Sequence, residues 1–261
     1  MRFRETVMNF EELKSFLDEK VTQYNQSVFI ETDPIQVPKN FSEKENIEIA
    51  GFLTATIAWG NRPSIIKNAT RLMAIMENRP YDFIMNAGNL ELTTIGQFVH
   101  RTFNGNDCIY FIRSLKNMYK NHGGLQQVFS EGFRQQNTVK SALEHFYSLF
   151  YEPEGERTRK HVSNVVKGAS GKRLNMFLRW MVRNDEAGID FGLWNNIPVS
   201  ALMLPLDVHT GNVARKLGLL YRKSNDWKAV EEVTKTLRTF DPADPIKYDF
   251  ALFGLGAFEK F

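Results

Sequence analysis

At 261 residues the chain is long enough to bury a sizeable core without disulfide staples, as one large domain or as two lobes sharing a cleft. Hydrophobic residues make up 43% and charged residues 24%, ordinary for a soluble globular protein, and a net charge of +3 does not mark a nucleic-acid binder. The lone Cys108 forms neither an internal disulfide nor a cysteine-rich metal or iron–sulfur site, which points to a reducing, cytoplasmic setting.

The first nine residues carry two arginines but run into Phe10-Glu11-Glu12-Leu13-Lys14, with no apolar run for a secretory signal. No segment approaches the roughly 20 apolar residues that span a bilayer. Helical periodicity then takes over. Phe10, Leu13, Phe16 and Leu17 share one face; Ile47, Ala50, Gly51, Leu53, Thr54 and Ile57 share another, with Ser42 and Glu45 spaced as a capping box. Further helices are expected over 64–77, 106–121, 125–133 and 139–151, punctuated by Asn61-Arg62-Pro63, Asn78-Arg79-Pro80, Asn104-Gly105 and His122-Gly123-Gly124. The polar, turn-rich stretch 152–157 reads as a flexible loop or a lobe boundary. Beyond it, 173–183 carries enough apolar residues for a heavily buried helix, and 208–217, 227–240 and 245–253 follow as three more. No alternating strand pattern of useful length, no repeat and no low-complexity tract appears.

Arg157, Arg159, Lys160, Lys167, Lys172, Arg173, Arg179 and Arg183 fall in a 27-residue window without Asp or Glu. Such a cluster suits either an anion-binding surface or an ordinary solvated helical face. Inside it, Val165-Val166-Lys167-Gly168-Ala169-Ser170-Gly171-Lys172-Arg173 reads as a helix end, a tight glycine turn and the start of a buried helix. Gly168 and Gly171 let backbone approach a ligand, and the N–H groups opening the next helix would face an anion such as a DNA phosphate. A glycine C-cap with no ligand explains the same residues. Lys172, in the first turn of an apolar helix beside Arg173, is favoured in its neutral form, which attacks an electrophilic carbon; a phosphate contact or a solvent-seeking side chain are the alternatives. Asp207 follows Pro205 and is placed as a helix N-cap, a role compatible with stabilising a positively charged sugar transition state. His209 is read as a structural hydrogen-bonder or a phosphate contact. No metal-ligand spacing links the five histidines, and no phosphate loop, nucleophile elbow or dinucleotide fingerprint is present. Phe191 and Trp194, in the turn-rich insert between Lys172 and Asp207, are candidates to stack on an extruded base or to fill the core.

Together these residues resemble the helix-hairpin-helix DNA glycosylase superfamily, whose signature is a glycine hairpin ending in lysine followed by a Pro-Val-Asp-x-His segment. Pro205-Leu206-Asp207-Val208-His209, with Leu217-Gly218-Leu219 after it, matches the second part. Glu48-Ile49-Ala50-Gly51-Phe52-Leu53-Thr54-Ala55 resembles the early core helix. His100-Arg101-Thr102-Phe103-Asn104-Gly105 resembles the Arg-Phe turn of the archaeal-type 8-oxoguanine branch, which also has a long insert between lysine and aspartate, here 35 residues. The resemblance spans roughly 45–256 and looks like a bacterial family of its own on this scaffold, with Ser170 where the second hairpin glycine is usual.

The resemblance implies an all-α fold in one two-lobed domain, residues 1–261, whose N- and C-terminal helices form one lobe and whose central helices form the other around a cleft. It implies a monomeric, cytoplasmic base-excision enzyme acting on duplex DNA, associated with the nucleoid in use, with Lys172 as Schiff-base nucleophile and Asp207 as catalytic carboxylate. Gly168, Ser170, Gly171 and His209 become DNA contacts, with Arg173, Arg179, Lys167 and Arg183 as further contacts to the DNA backbone. The hairpin is expected to admit a monovalent cation, with no iron–sulfur cluster. Rival readings are a non-catalytic binder of damaged or bent DNA, an enzyme acting on modified nucleosides or RNA, and a structural protein in which Asp207 is only a cap.

Overall fold

The computed structural model describes residues 8–261, so the reading of the first seven lies outside it. Twelve α-helices and five short 3-10 turns are found among the described residues, with no β-strand beyond two isolated bridges, His100 with Phe103 and Ala169 with Asp226. The all-α class holds.

Helix α1 (Phe10–Tyr24) opens on a capping box in which Asn9 accepts the Glu12 N–H at 3.0 Å and Glu12 accepts the Asn9 N–H at 2.9 Å. It packs against α12 (Tyr248–Ala257), which also packs on α10 (Val208–Lys216). Contact is closest at Gly254, where a Cβ would stand 2.2 Å from the Tyr24 ring. Gly254→Ala should therefore overpack this joint and cost about 1–3 kcal/mol in a urea titration; an unchanged midpoint would mean the ring moves aside freely.

Helix α2 (Lys44–Thr56) is buried from Asn46 to Thr56 and packs on α9 (Lys172–Val182). Its N-cap is Glu43, in extended backbone and without a side-chain cap bond, so the chain enters the helix one residue too late for the expected Ser42–Glu45 box. Where α2 and α9 meet α6 (Gly105–Asn121), α7 (Leu125–Gln136) and α8 (Val139–Phe150), phenylalanines fill the joint. Phe52 touches Phe111, Phe146, Phe150 and Phe177 at centroid distances of 5.4–5.9 Å, and Phe129 stacks on Phe146 at 4.5 Å. Much of the aromatic share is thus structural.

Helix α3 (Arg62–Ile75) is capped by Asn61, and α11 (Trp227–Phe240) by Asp226. Two helices were not foreseen, α4 (Pro80–Asn86) and α5 (Asn89–Ile95), each seven residues and too short for a periodic signal. The helix expected at 245–253 is split. Asp244 caps a 3-10 turn, Pro245–Lys247, before α12 begins and runs on to Ala257.

Residues 165–168 form a turn rather than the end of a helix, closed by Gly168 N–H to the Val165 carbonyl at 3.0 Å and Ala169 N–H to the Asn164 carbonyl at 3.2 Å. The 152–157 stretch is pinned, not free. Tyr110 donates to the Pro153 carbonyl at 2.8 Å, and Arg157 donates to Asp107 at 2.5 Å and to the Thr102 carbonyl at 3.1 Å.

Candidate active site

A cleft of about 800 Å³ opens between the start of α9, the start of α10, α12 and the α2–α3 connection. Lys172 and Asp207 both line it. Lys172 Nζ lies 3.9 Å from Asp207 Oδ2, with side chains 28% and 24% exposed, reachable by a ligand yet shielded from bulk water. Asp207 is the N-cap of α10: its Oδ1 accepts the Thr210 N–H at 3.0 Å, which leaves Oδ2 toward the lysine. Asn225 fixes this turn from outside by donating to the Asp207 carbonyl at 2.9 Å.

Lys172 is the first residue of α9. Gly171 precedes it at φ +66° and Gly168 stands at φ +86°, both left-handed positions that suit glycine. Gly171 offers no side-chain cap, so the N–H groups of Lys172, Arg173 and Leu174 have no acceptor within the helix, the arrangement that receives an anion. Ser170 lines the same rim. Three hairpin carbonyls each accept one hydrogen bond: Gly168 from the Trp227 N–H at 3.0 Å, Ser170 from Asn175 Nδ2 at 3.2 Å and Gly171 from the Asn175 N–H at 2.8 Å. No step below uses a bound cation. Among the described residues no group of three or more His, Cys, Asp and Glu could hold a metal ion. Lys167 and His209 are exposed; His209 is in the first turn of α10 at the cleft edge, its ring without a hydrogen bond to any described residue.

Several expected contacts stand elsewhere. Trp194 is 1% exposed, donates to Glu48 at 2.7 Å and packs on Phe129 and Phe177, so it is core and not base pocket. Phe191 lies outside the cleft beneath Lys39, whose Nζ stands 4.3 Å from its ring centroid. Arg179 is 4% exposed and is held by Asp190 at 3.1 Å and Asp249 at 2.5 Å; burial opposes its charge, but the two carboxylates keep it well above the ordinary arginine range. It lines the cleft, but its guanidinium is committed to these two carboxylates. Arg183 likewise serves Asp185, Asp190 and Asp244. Arg173 lines the cleft, donates to the Thr56 carbonyl and lies 5.0 Å over the Trp59 ring, with burial pushing it down to about 10. With Arg157 on Asp107 and Arg159 on Glu156, the acid-free window is largely answered by carboxylates, three of which, Asp107, Asp244 and Asp249, come from distant parts of the chain.

The cleft has aromatic walls of its own. Trp59 faces it from the α2–α3 connection, and Phe29, Phe253 and Phe258 line the side where Arg62 sits, 4.3 Å over the Phe253 ring. Burial disfavours the Arg62 charge, partly offset by Asp33 and Asp207. Sequence reading also missed Asp249, a buried carboxylate in the same cleft. Its signal was available: it is the one charged residue of an otherwise apolar helix, and a buried charge needs a partner.

Fold and site together define an all-helical protein that sets a half-buried lysine amine beside a helix-capping carboxylate. The chain belongs to DUF2400, a family described as proteins of unknown function, whose model matches residues 33–258 and so takes in every cleft residue discussed except Phe29. No curated protein and no solved structure matches the chain.

Proposed function

We propose that the protein is a DNA base-excision glycosylase in which Lys172 attacks the anomeric carbon of a damaged nucleotide and the product passes through a lysine imine. The observation that carries this reading is the convergence of Lys172 and Asp207 in one cleft, from positions 35 residues apart. The helix-hairpin-helix resemblance and the uncapped start of α9 support it, because a phosphate held at those N–H groups would bring the adjoining sugar to the lysine.

In this mechanism Lys167 and His209 meet the DNA backbone, and an extruded base enters between Trp59 and the Arg62–Phe253 wall, where stacking replaces its neighbours in the duplex. The lysine nitrogen bonds to C1′ as the glycosidic bond breaks. Asp207, oriented by its cap, stabilises the positive charge that develops on the sugar. The ring then opens to an imine, which borohydride reduces to a stable adduct.

Duplexes carrying abasic, 8-oxoguanine or uracil sites, incubated with protein and borohydride, should yield a covalent protein–DNA band with at least one of them. Duplex binding with no band and no base release would favour a non-catalytic binder on the same scaffold. Asp207→Asn separates the cap from the charge, since asparagine caps equally well. It should lower the single-turnover rate by about 10²–10³-fold while stability changes little; an unchanged rate would remove Asp207 from the chemistry.

A further inference from the structure

Another carboxylate of the cleft has no role in the steps above. Asp249 sits in the first turn of α12, 6% exposed, and lines the same cleft as Lys172 and Asp207. Its Oδ2 accepts from Arg179 Nη1 at 2.5 Å, while Oδ1 has no protein partner among the described residues. The charged and titratable groups around it are Arg179, Lys172 and Arg173 on α9, Asp207 at the cap of α10 and His209 in its first turn, Asp190 behind Arg179, and Arg62 with Asp33 across the cleft. Burial, aided by the Asp207 charge, raises Asp249 to about 6, against the pull of Arg179 and Lys172. It is therefore a better proton acceptor than a solvated carboxylate and still ionised near neutral pH.

A lysine nucleophile has a proton to lose before it attacks. Asp207 is poorly suited to take it, because a protonated Asp207 has no charge left to offer the sugar. We propose that Asp249, which lines the same cleft as Lys172 without touching it, is the proton carrier of this site, taking a proton from the Lys172 ammonium through one bridging water and handing it to the departing base; this rests on the lysine-nucleophile reading above. The balance closes within the cleft. Proton transfer gives Lys172–NH2 and Asp249–COOH. The amine lone pair forms the bond to C1′, the C1′–N pair leaves with the base, and the Asp249 proton passes to that base nitrogen, regenerating the carboxylate. Asp207 stays ionised throughout.

The test is the pH dependence of borohydride capture of an abasic-site duplex, which isolates the activation of Lys172. The wild-type rate should rise with pH and level off above about 6, as Asp249 loses its proton. Asp249→Asn should slow capture by about 10²-fold and abolish that limb. Asp190→Asn breaks the same ion network behind Arg179, outside the cleft, and should keep the limb. An Asp249→Asn protein whose limb is unchanged overturns the proposal, as does loss of the limb in both variants alike, which would mark a purely structural network. If Asp249→Asn does not fold by circular dichroism, Asp249→Glu retains a carboxyl and must show a limb at a shifted pH; a flat profile overturns the proposal. A wild-type protein with no capture at any pH fails differently, by removing the lysine-nucleophile reading itself.

Discussion

Lys172→Gln should abolish covalent capture of an abasic-site duplex, a loss of about 10³-fold or more, while duplex affinity changes by less than about threefold. Glutamine cannot form an imine, so the chemical loss is complete in kind. The rest of the site is left standing. The N–H groups at the start of α9 belong to the backbone, Gly168 and Gly171 keep their conformations, and Asp207 still caps α10 through Oδ1. The ion pair given up is long, 3.9 Å between partly exposed groups, and worth no more than about 1 kcal/mol. Gel-shift affinity and borohydride capture on the same preparation check both halves; affinity falling in step with capture would make Lys172 a phosphate contact.

The other large effect is on stability. Arg179→Met should cost about 3–5 kcal/mol at neutral pH, because Asp190 and Asp249 both lose a buried partner and Arg183 remains for only the first of them. The cost should shrink as pH falls. With Arg179 present the folded-state Asp249 already sits near 6, above its unfolded value of 3.8, so the folded protein binds more protons between those values and this group's contribution weakens as pH rises through that window. Removing the arginine raises the carboxylates further and steepens the trend. Urea titrations at about pH 5 and pH 7 read this directly, the smaller deficit falling at the lower pH. An arginine that instead gripped DNA would leave stability alone and flatten the salt dependence of binding. A deficit under about 1 kcal/mol at both pH values would contradict the buried-network account.

What the sequence revealed, and what it hid, follows from range. Helices α2, α9 and α11 were legible because their apolar residues recur at helical spacing over three or more turns. Asp207 was legible as a cap because capping is local, the carboxylate reaching only three residues along the chain. The pairing of Lys172 with Asp207 came from a motif, since no spacing rule joins two residues whose meeting depends on how α9 and α10 pack. Phe191 and Trp194 misled for the converse reason. They lie between lysine and aspartate in the chain, yet Trp194 turns inward to Glu48, a partner that also binds Tyr119 and Lys44 and is fully buried. The acid-free basic window misled in the same way, because Asp107, Asp190, Asp244 and Asp249 answer it in space. The aromatic wall of the cleft was hidden too: Phe29, Trp59 and Phe253 come from three separate elements, and their convergence leaves no local trace.

The most direct test of the central claim is to digest the borohydride-reduced complex and locate the sugar remnant by mass spectrometry. The account predicts a single adduct on the peptide carrying Lys172. An adduct on Lys167 or another lysine, or none from a duplex the protein demonstrably binds, would contradict it.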